Sequence, residues 1–145
     1  MEPRPGQHDI DIDRLRLVLL RVARRIRTSS VEELTPSQLA VLSTVERNGR
    51  ITIGEIADIE HVKPPSVSKI VAALEHTGFV AREPDDRDRR CVFITATSAG
   101  MTYLESVRAA GRTWLASQLA ELDDADVREL SAALPALERL LEVTE

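Results

Sequence analysis

Apolar residues recur at helical spacing in the first half of the chain, which predicts a series of amphipathic helices. In residues 10–27 one apolar stripe follows the helical period, at Leu15, Leu19, Val22 and Ile26. Capping boxes that begin at residues 35 and 52, each with Gln or Glu three positions later, predict the starts of two short helices. Another helix is predicted after residue 63, because two prolines at its start lack only amide donors that a first helical turn leaves unpaired.

The pattern then changes to two short strands and a turn. Residues 79–82 and 90–95 are apolar segments on either side of a polar Pro-Asp-Asp tip, which predicts a two-stranded hairpin. Thr97 is expected to cap a long helix over residues 98–122, and a last helix is expected to reach about Glu142. The long helix is apolar on two stripes and therefore needs two neighbours, for which a second copy of the chain is the simplest source.

This order of elements predicts a mainly α fold of the α+β type. Three short helices followed by a hairpin are typical of a winged helix-turn-helix, here with a two-stranded wing and with dimerisation helices at both ends. We expect residues 1–34 to hold an N-terminal helix of the dimerisation region, residues 35–97 the DNA-binding domain, and residues 98–145 the C-terminal dimerisation helices.

The helix after residue 63 has the composition of a DNA-reading helix. With its apolar stripe facing the core, small polar and basic residues fall on the outer flanks, where they can reach phosphates or base edges. The candidate DNA-binding residues of this helix are Lys63, Pro65, Ser66, Ser68 and Lys69. Taken alone, the helix fits an ordinary amphipathic surface helix better than a DNA-reading one, and the hairpin that follows it reverses this preference.

The hairpin carries more arginine than a solvated turn needs. Arg82, Arg87, Arg89 and Arg90 surround its tip, and an arginine inserted into the minor groove gains from the negative potential there. Asp88 precedes Arg90 by two residues and is expected to orient it through a charge-assisted hydrogen bond. The alternative is a solvated hairpin with exposed ion pairs, each contributing less than ~1 kcal/mol.

The charge distribution supports nucleic-acid binding although the net charge is −5. Residues 61–95 carry six basic and five acidic side chains, whereas residues 96–145 carry four basic and nine acidic ones. DNA affinity depends on which side chains reach phosphate, so the acidic C-terminal part does not argue against it.

Other classes of protein find little support in the sequence. There is no phosphate-binding glycine loop, nucleophile elbow or zinc-protease motif, so we expect no enzyme and no cofactor. His8, His61 and His76 lack the spacing of metal ligands, and Cys91, the single cysteine, is interpreted as packing or, less simply, as an oxidant sensor. The chain has no apolar run of membrane-spanning length and no apolar export segment at its start, so a cytoplasmic location is expected.

The residues resemble the MarR family of bacterial transcription regulators over nearly the whole chain. The resemblance is carried by Thr52-Ile53-Gly54-Glu55-Ile56-Ala57, by Ser66-Val67-Ser68-Lys69-Ile70-Val71, and by Leu74-Glu75-His76-Thr77-Gly78-Phe79-Val80. The family's D-x-R wing motif falls on Asp88 and Arg90, and its L-T-x-x-G motif appears as Ala96-Thr97-Ser98-Ala99-Gly100, with alanine in place of leucine.

The resemblance implies a homodimer on a palindromic operator in double-stranded DNA, often with a small effector that weakens DNA binding. We therefore expect a transcriptional regulator, more specifically a repressor. Tyr103 and Trp114 are the candidate walls of a pocket for an apolar or aromatic effector, and dimer core is an equally good interpretation of both. The alternative function is a winged-helix module that binds proteins and has no specific DNA affinity.

Overall fold

The computed structural model describes residues 10–28, 34–86, 88 and 90–142. Within these residues the chain forms helices and three short strands. In chain order they are α1 (Ile12–Arg27), α2 (Pro36–Asn48), β1 (Ile51–Thr52), α3 (Ile53–Ile59), α4 (Pro64–His76), β2 (Val80–Pro84), β3 (Val92–Ala96), α5 (Ser98–Ala120) and α6 (Asp124–Glu142). The predicted fold class is confirmed.

The helices begin where the capping residues predicted. The Thr35 hydroxyl accepts from the amide of Gln38, whose side chain accepts in return from the Thr35 amide, and Thr52 and Glu55 form the same reciprocal pair at the start of α3. The Thr97 side chain caps α5 in the same way, by accepting from the Gly100 amide. These caps satisfy amides that have no partner inside a helix.

The two-stranded wing is present as predicted, and a third strand extends it. Strands β2 and β3 pair antiparallel, with Val80 opposite Ala96 and Pro84 opposite Val92. The short β1 pairs antiparallel with the other edge of β3, which gives the sheet order β1-β3-β2. Ile51 on β1 and Ile94 on β3 lie opposite each other and are both buried, so the sheet joins the wing to the helical core.

The core lies between the helices of the helix-turn-helix, the sheet and the first turns of α5. Its fully buried side chains include Leu42, Val45, Ile56, Val67, Val71, Leu74 and Ile94. Among the described residues the polar side chain of Thr44 is buried with them, and its hydroxyl donates to the carboxylate of Glu60, the residue directly after α3. This contact ties α2 to the turn before α4. The Arg47 guanidinium donates to the same hydroxyl at 3.4 Å.

The elements from α2 to β3 form the winged unit, and helix α5 leads from it towards α1. At its start Gly100 packs directly against the backbone of Phe79, and further along Gly111 packs against Ile26 of α1. A side chain at either glycine would separate the elements that meet there. Within one chain, α5 therefore contacts both α1 and α2.

The terminal helices leave many apolar side chains uncovered. α1 has no buried residue, and α6 makes no extensive contact with the other described elements. The exposed apolar side chains of these two helices include Ile12, Leu17, Val18, Leu20, Val127, Leu130, Leu134, Leu140 and Leu141. Among the described helices none is both long and apolar enough to cross a membrane. The predicted domain boundaries and dimerisation roles remain predictions.

Candidate nucleic-acid interface

Helix α4 turns one face to the core and the other to solvent, as its sequence predicts. Val67, Val71 and Leu74 are fully buried. The opposite face carries the predicted DNA-binding residues, of which Ser68 is half-buried on the flank and the others are exposed: Lys63, Pro65, Ser66 and Lys69. The side chains on the exposed face can therefore reach a ligand without any rearrangement of the helix.

The start of α4 offers side chains rather than amides to a phosphate. Helix N-termini usually bind anions through free backbone amides. Here Pro64 and Pro65 have no amide hydrogen, and the Ser66 amide already donates to the Lys63 carbonyl at 2.9 Å. The exposed ammonium group of Lys63 and the exposed hydroxyl of Ser66 are side-chain donors at this end of the helix.

At the wing tip Asp88 contacts Arg90, but its hydrogen bond is to the backbone amide of that residue, whereas the sequence predicts one to the guanidinium group. The Asp88 carboxylate accepts from the Arg90 backbone amide at 3.0 Å and lies 3.6 Å from the guanidinium Nε of the same residue. The Cys91 amide donates to the Asp88 carbonyl at 2.8 Å, which closes the turn. The Arg90 side chain is 95% exposed, so a positive charge held at its base by Asp88 projects freely from the tip.

The other wing arginines are placed differently. Arg82 lies at the base of β2, where its Nε donates to the Glu75 carboxylate at the end of α4 at 3.0 Å. This ion pair fixes the wing against the reading helix and partly neutralises the charge of Arg82. Arg87 and Arg89 lie outside the described residues, as does His8.

Arg50, the residue before β1, contacts the wing and was not among the residues predicted from the sequence. Its guanidinium lies 3.9 Å from the centroid of the Phe93 ring on β3 and its Nε lies 3.9 Å from the Glu83 carboxylate on β2. The Thr95 hydroxyl donates to the same carboxylate at 3.0 Å. These contacts connect the residue before β1 with side chains of β2 and β3. The residues next to Arg50 in the sequence gave no signal of this role, because Glu83 and Phe93 come from distant parts of the chain.

A cavity of about 360 Å³ opens where α1, α2 and α5 meet. Its volume lies in the range of small-molecule sites. The lining residues are Arg24, Arg27, Thr28, Leu34, Pro36, Leu39, Tyr103 and Val107. The Tyr103 ring also stacks on Phe79 with centroids 4.8 Å apart. Trp114 does not line this cavity and lies about three helical turns further along α5. A larger cleft beside the wing, about 720 Å³, has charged walls of both signs.

No described residues form a group of His, Cys, Asp and Glu that could hold a metal ion. Cys91 is half-buried in the wing. Helix α4 and the wing present a surface suited to binding, made of a polar helix face and the exposed guanidinium group of Arg90 at the wing tip.

Comparisons with known proteins agree with a nucleic-acid interface. The sequence profile of the MarR family matches residues 34–92. The HTH-type transcriptional regulator ML2140 of Mycobacterium leprae is 34% identical over 117 residues, which cover 80% of this chain and 81% of that protein. The HTH-type transcriptional repressor MdtR of Bacillus subtilis is 26% identical over 136 residues, which cover 90% of this chain and 88% of that protein.

A solved structure has the same fold over most of its length. It is a crystal structure from Pseudomonas aeruginosa PA01, described as a transcriptional regulator, and it is 30% identical. The TM-score is 0.80, with 89% of this chain and 91% of that chain covered. The similarity therefore includes the terminal helices as well as the winged unit.

Proposed function

This chain belongs to the MarR family of DNA-binding transcriptional regulators, and we propose that it acts as a homodimeric repressor on a palindromic operator, relieved by a small effector. The observation that carries the DNA-binding mode is the Asp88–Arg90 pair, which projects an almost fully exposed guanidinium from the wing tip. The exposed polar face of α4 supplies the groups that would read base edges. The repressor role is supported by the similarity to MdtR, which is named a repressor.

The experiment is to select bound fragments from genomic DNA and to measure affinity for the selected operator against salt. We expect the logarithm of affinity to fall linearly with the logarithm of salt concentration, and Arg90→Ala to weaken binding and reduce that slope by about one. Arg112→Ala is the matched control, because it removes the same charge from an exposed position on α5. A flat salt response, or equal binding to selected and random DNA, would instead indicate a protein-interaction module.

Base reading is assigned to the exposed face of α4. Lys69→Ala and Ser68→Ala should change the ranking of operator variants, by about 1–3 kcal/mol at a good base contact. Arg90→Ala should lower affinity for all variants alike. If the two kinds of substitution have the same profile across operator variants, the division between reading helix and wing is wrong.

The homodimer is supported by the apolar side chains that α1 and α6 leave exposed. An apolar helix face in water is stabilised when a second copy covers it. Light scattering at micromolar concentration should give a dimer without DNA, and Leu134→Asp should shift it towards monomer. Ala132→Asp adds the same charge on the opposite face of α6, at an exposed position, and is the control. A wild-type monomer would refute the proposal.

The effector site is assigned to the cavity between α1, α2 and α5. Its wall contains Tyr103, Leu39 and Val107, which suit an apolar or aromatic ligand, and arginines at its edge suit a carboxylate on that ligand. Such a ligand acts only through unequal affinity for the operator-bound and free conformations. The test is titration of aromatic acids against the operator complex, with Tyr103→Ala as the variant. Compounds that bind the protein and never change operator affinity would exclude this regulation.

A further inference from the structure

A bidentate ion pair joins α5 to the winged unit. Both terminal guanidinium nitrogens of Arg108 on α5 donate to the carboxylate of Glu46 on α2, Nη1 to Oε1 at 3.1 Å and Nη2 to Oε2 at 2.8 Å. The two residues are 62 positions apart in the sequence. A bidentate contact of this kind restrains the relative orientation of α2 and α5 as well as their distance, because both parallel hydrogen bonds must be kept.

The pair lies where α5 leaves the winged unit. Gly100, Leu104 and Arg108 occupy successive turns of one α5 face, and Gly100 lies beside Leu42, one turn before Glu46 on α2. Leu104 is buried in the core, so the ion pair follows the last apolar layer on this face. One turn further, Gly111 already faces α1.

We propose that Glu46 and Arg108 are positioning residues that set the angle between the winged unit and the dimerisation part of α5, and thereby the separation of the two reading helices. This inference rests on the proposed homodimer and operator. It is supported by the position of the pair where α5 leaves the winged unit, because a small rotation there displaces the far end of α5 the most.

The length of α5 beyond the pair gives the size of the effect. From Arg108 to Ala120 the helix continues for about 18 Å, so a rotation of roughly 10° at the pair displaces its end by about 3 Å. In a dimer the ends of the two α5 helices are held together, and the winged units move instead. Half-sites one DNA turn apart are about 34 Å from each other, and a mismatch of several ångströms is felt by both reading helices.

The effect of Glu46→Gln on DNA affinity distinguishes a positioning role from a purely electrostatic one, because the two roles predict opposite changes. Glu46→Gln removes a negative charge from the protein, which by itself favours binding to DNA. If the pair positions the winged unit, the same substitution weakens operator binding. Arg108→Gln should weaken it as well, and the double variant should be no weaker than either single one, because each substitution removes the same contact.

The control pair is Glu105 and Arg112, whose side chains meet at 2.6 Å on α5 itself. Glu105→Gln and Arg112→Gln change the charge by the same amounts and break an ion pair that connects no two elements. Binding to random DNA, measured for all variants, reports the electrostatic contribution alone. Thermal unfolding should differ from the wild type by at most a few degrees, since the Glu46–Arg108 pair is partly exposed.

The decisive readout is a set of selected operators whose half-sites are moved apart or together by one or two base pairs. The wild type should prefer one spacing sharply. Glu46→Gln should bind that spacing about tenfold more weakly, a factor typical of coupling between sites, and should discriminate less between spacings. If the wild type binds its operator and Glu46→Gln matches its affinity and spacing profile, this inference is overturned and the proposed function stands. If the wild type prefers no selected operator over random DNA, both the proposed function and this inference are refuted.

Discussion

Gly100 allows the closest approach between α5 and the wing, and replacing it by alanine should destabilise the protein. A Cβ atom at this position would lie 2.2 Å from the Phe79 carbonyl oxygen and 3.3 Å from Leu42 Cδ1. The Phe79 oxygen cannot move freely, because it accepts from the Thr97 amide at 3.0 Å. The neighbouring Gly78 carbonyl accepts from the Thr97 hydroxyl at 2.6 Å, so hydrogen bonds hold Thr97 to both Gly78 and Phe79.

The expected cost can be worked out from these contacts. Glycine to alanine in a helix is normally favourable by about 1 kcal/mol. Here the carbonyl must retreat by about 1 Å, and overpacking of this kind costs about 1–3 kcal/mol. Loss of the Thr97 hydrogen bond to Phe79 adds about 1 kcal/mol. With the clash at the upper end of its range, we expect a net loss of about 3 kcal/mol, which lowers Tm by about 10 °C for a chain of this size.

The assay is thermal and urea unfolding followed by circular dichroism, with Gly54→Ala as the control. A Cβ at Gly54 would meet only the Thr52 hydroxyl at 3.9 Å, so alanine there should be neutral or stabilising by up to about 1 kcal/mol. The two substitutions are chemically identical and should change stability in opposite directions. Equal stability changes for both variants, or a more stable Gly100→Ala protein, would refute the close-packing argument.

Two further predictions concern stability. The Arg108 hydrogen bond lowers the pKa of Glu46 below its ordinary 4.5, so its contribution is present above that pH and is lost as the pH falls further. The Tm difference between the wild type and Glu46→Gln should therefore be constant from pH 6 to 8 and close below about pH 4.5; a difference that persists at low pH would exclude an ionic origin. Thr35→Ala should cost about 1 kcal/mol through loss of the α2 cap, and Thr35→Ser should restore it; equal stability of the alanine variant would contradict the capping role.

The helices could be predicted from the sequence because their start signals are local. Thr35, Thr52 and Thr97 each find their capping partner three residues away, so the pattern and the contact lie in the same short segment. Strand β1 could not be predicted in this way. It has two residues, and its pairing with β3 depends on a partner more than forty positions later in the chain.

The same distinction explains which parts of the site were predicted. Asp88 and Arg90 are two residues apart, and their contact follows from the motif. The Arg50–Phe93 and Glu46–Arg108 contacts join residues that are brought together only by the packed fold. Neither arginine differs in its sequence neighbourhood from the many others that lie on the surface.

The placement of charge bears on specificity. A protein with a net charge of −5 is repelled by DNA at long range, so its attraction depends on a few projecting cations such as Lys63, Lys69 and Arg90. The two prolines remove the backbone amides through which a helix start usually binds phosphate whatever the base sequence. Few sequence-independent contacts mean weak binding to random DNA. We therefore expect discrimination between operator and random DNA to come from the side chains of α4, supported by Arg90 of the wing. It should also require both winged units of the dimer at the correct separation.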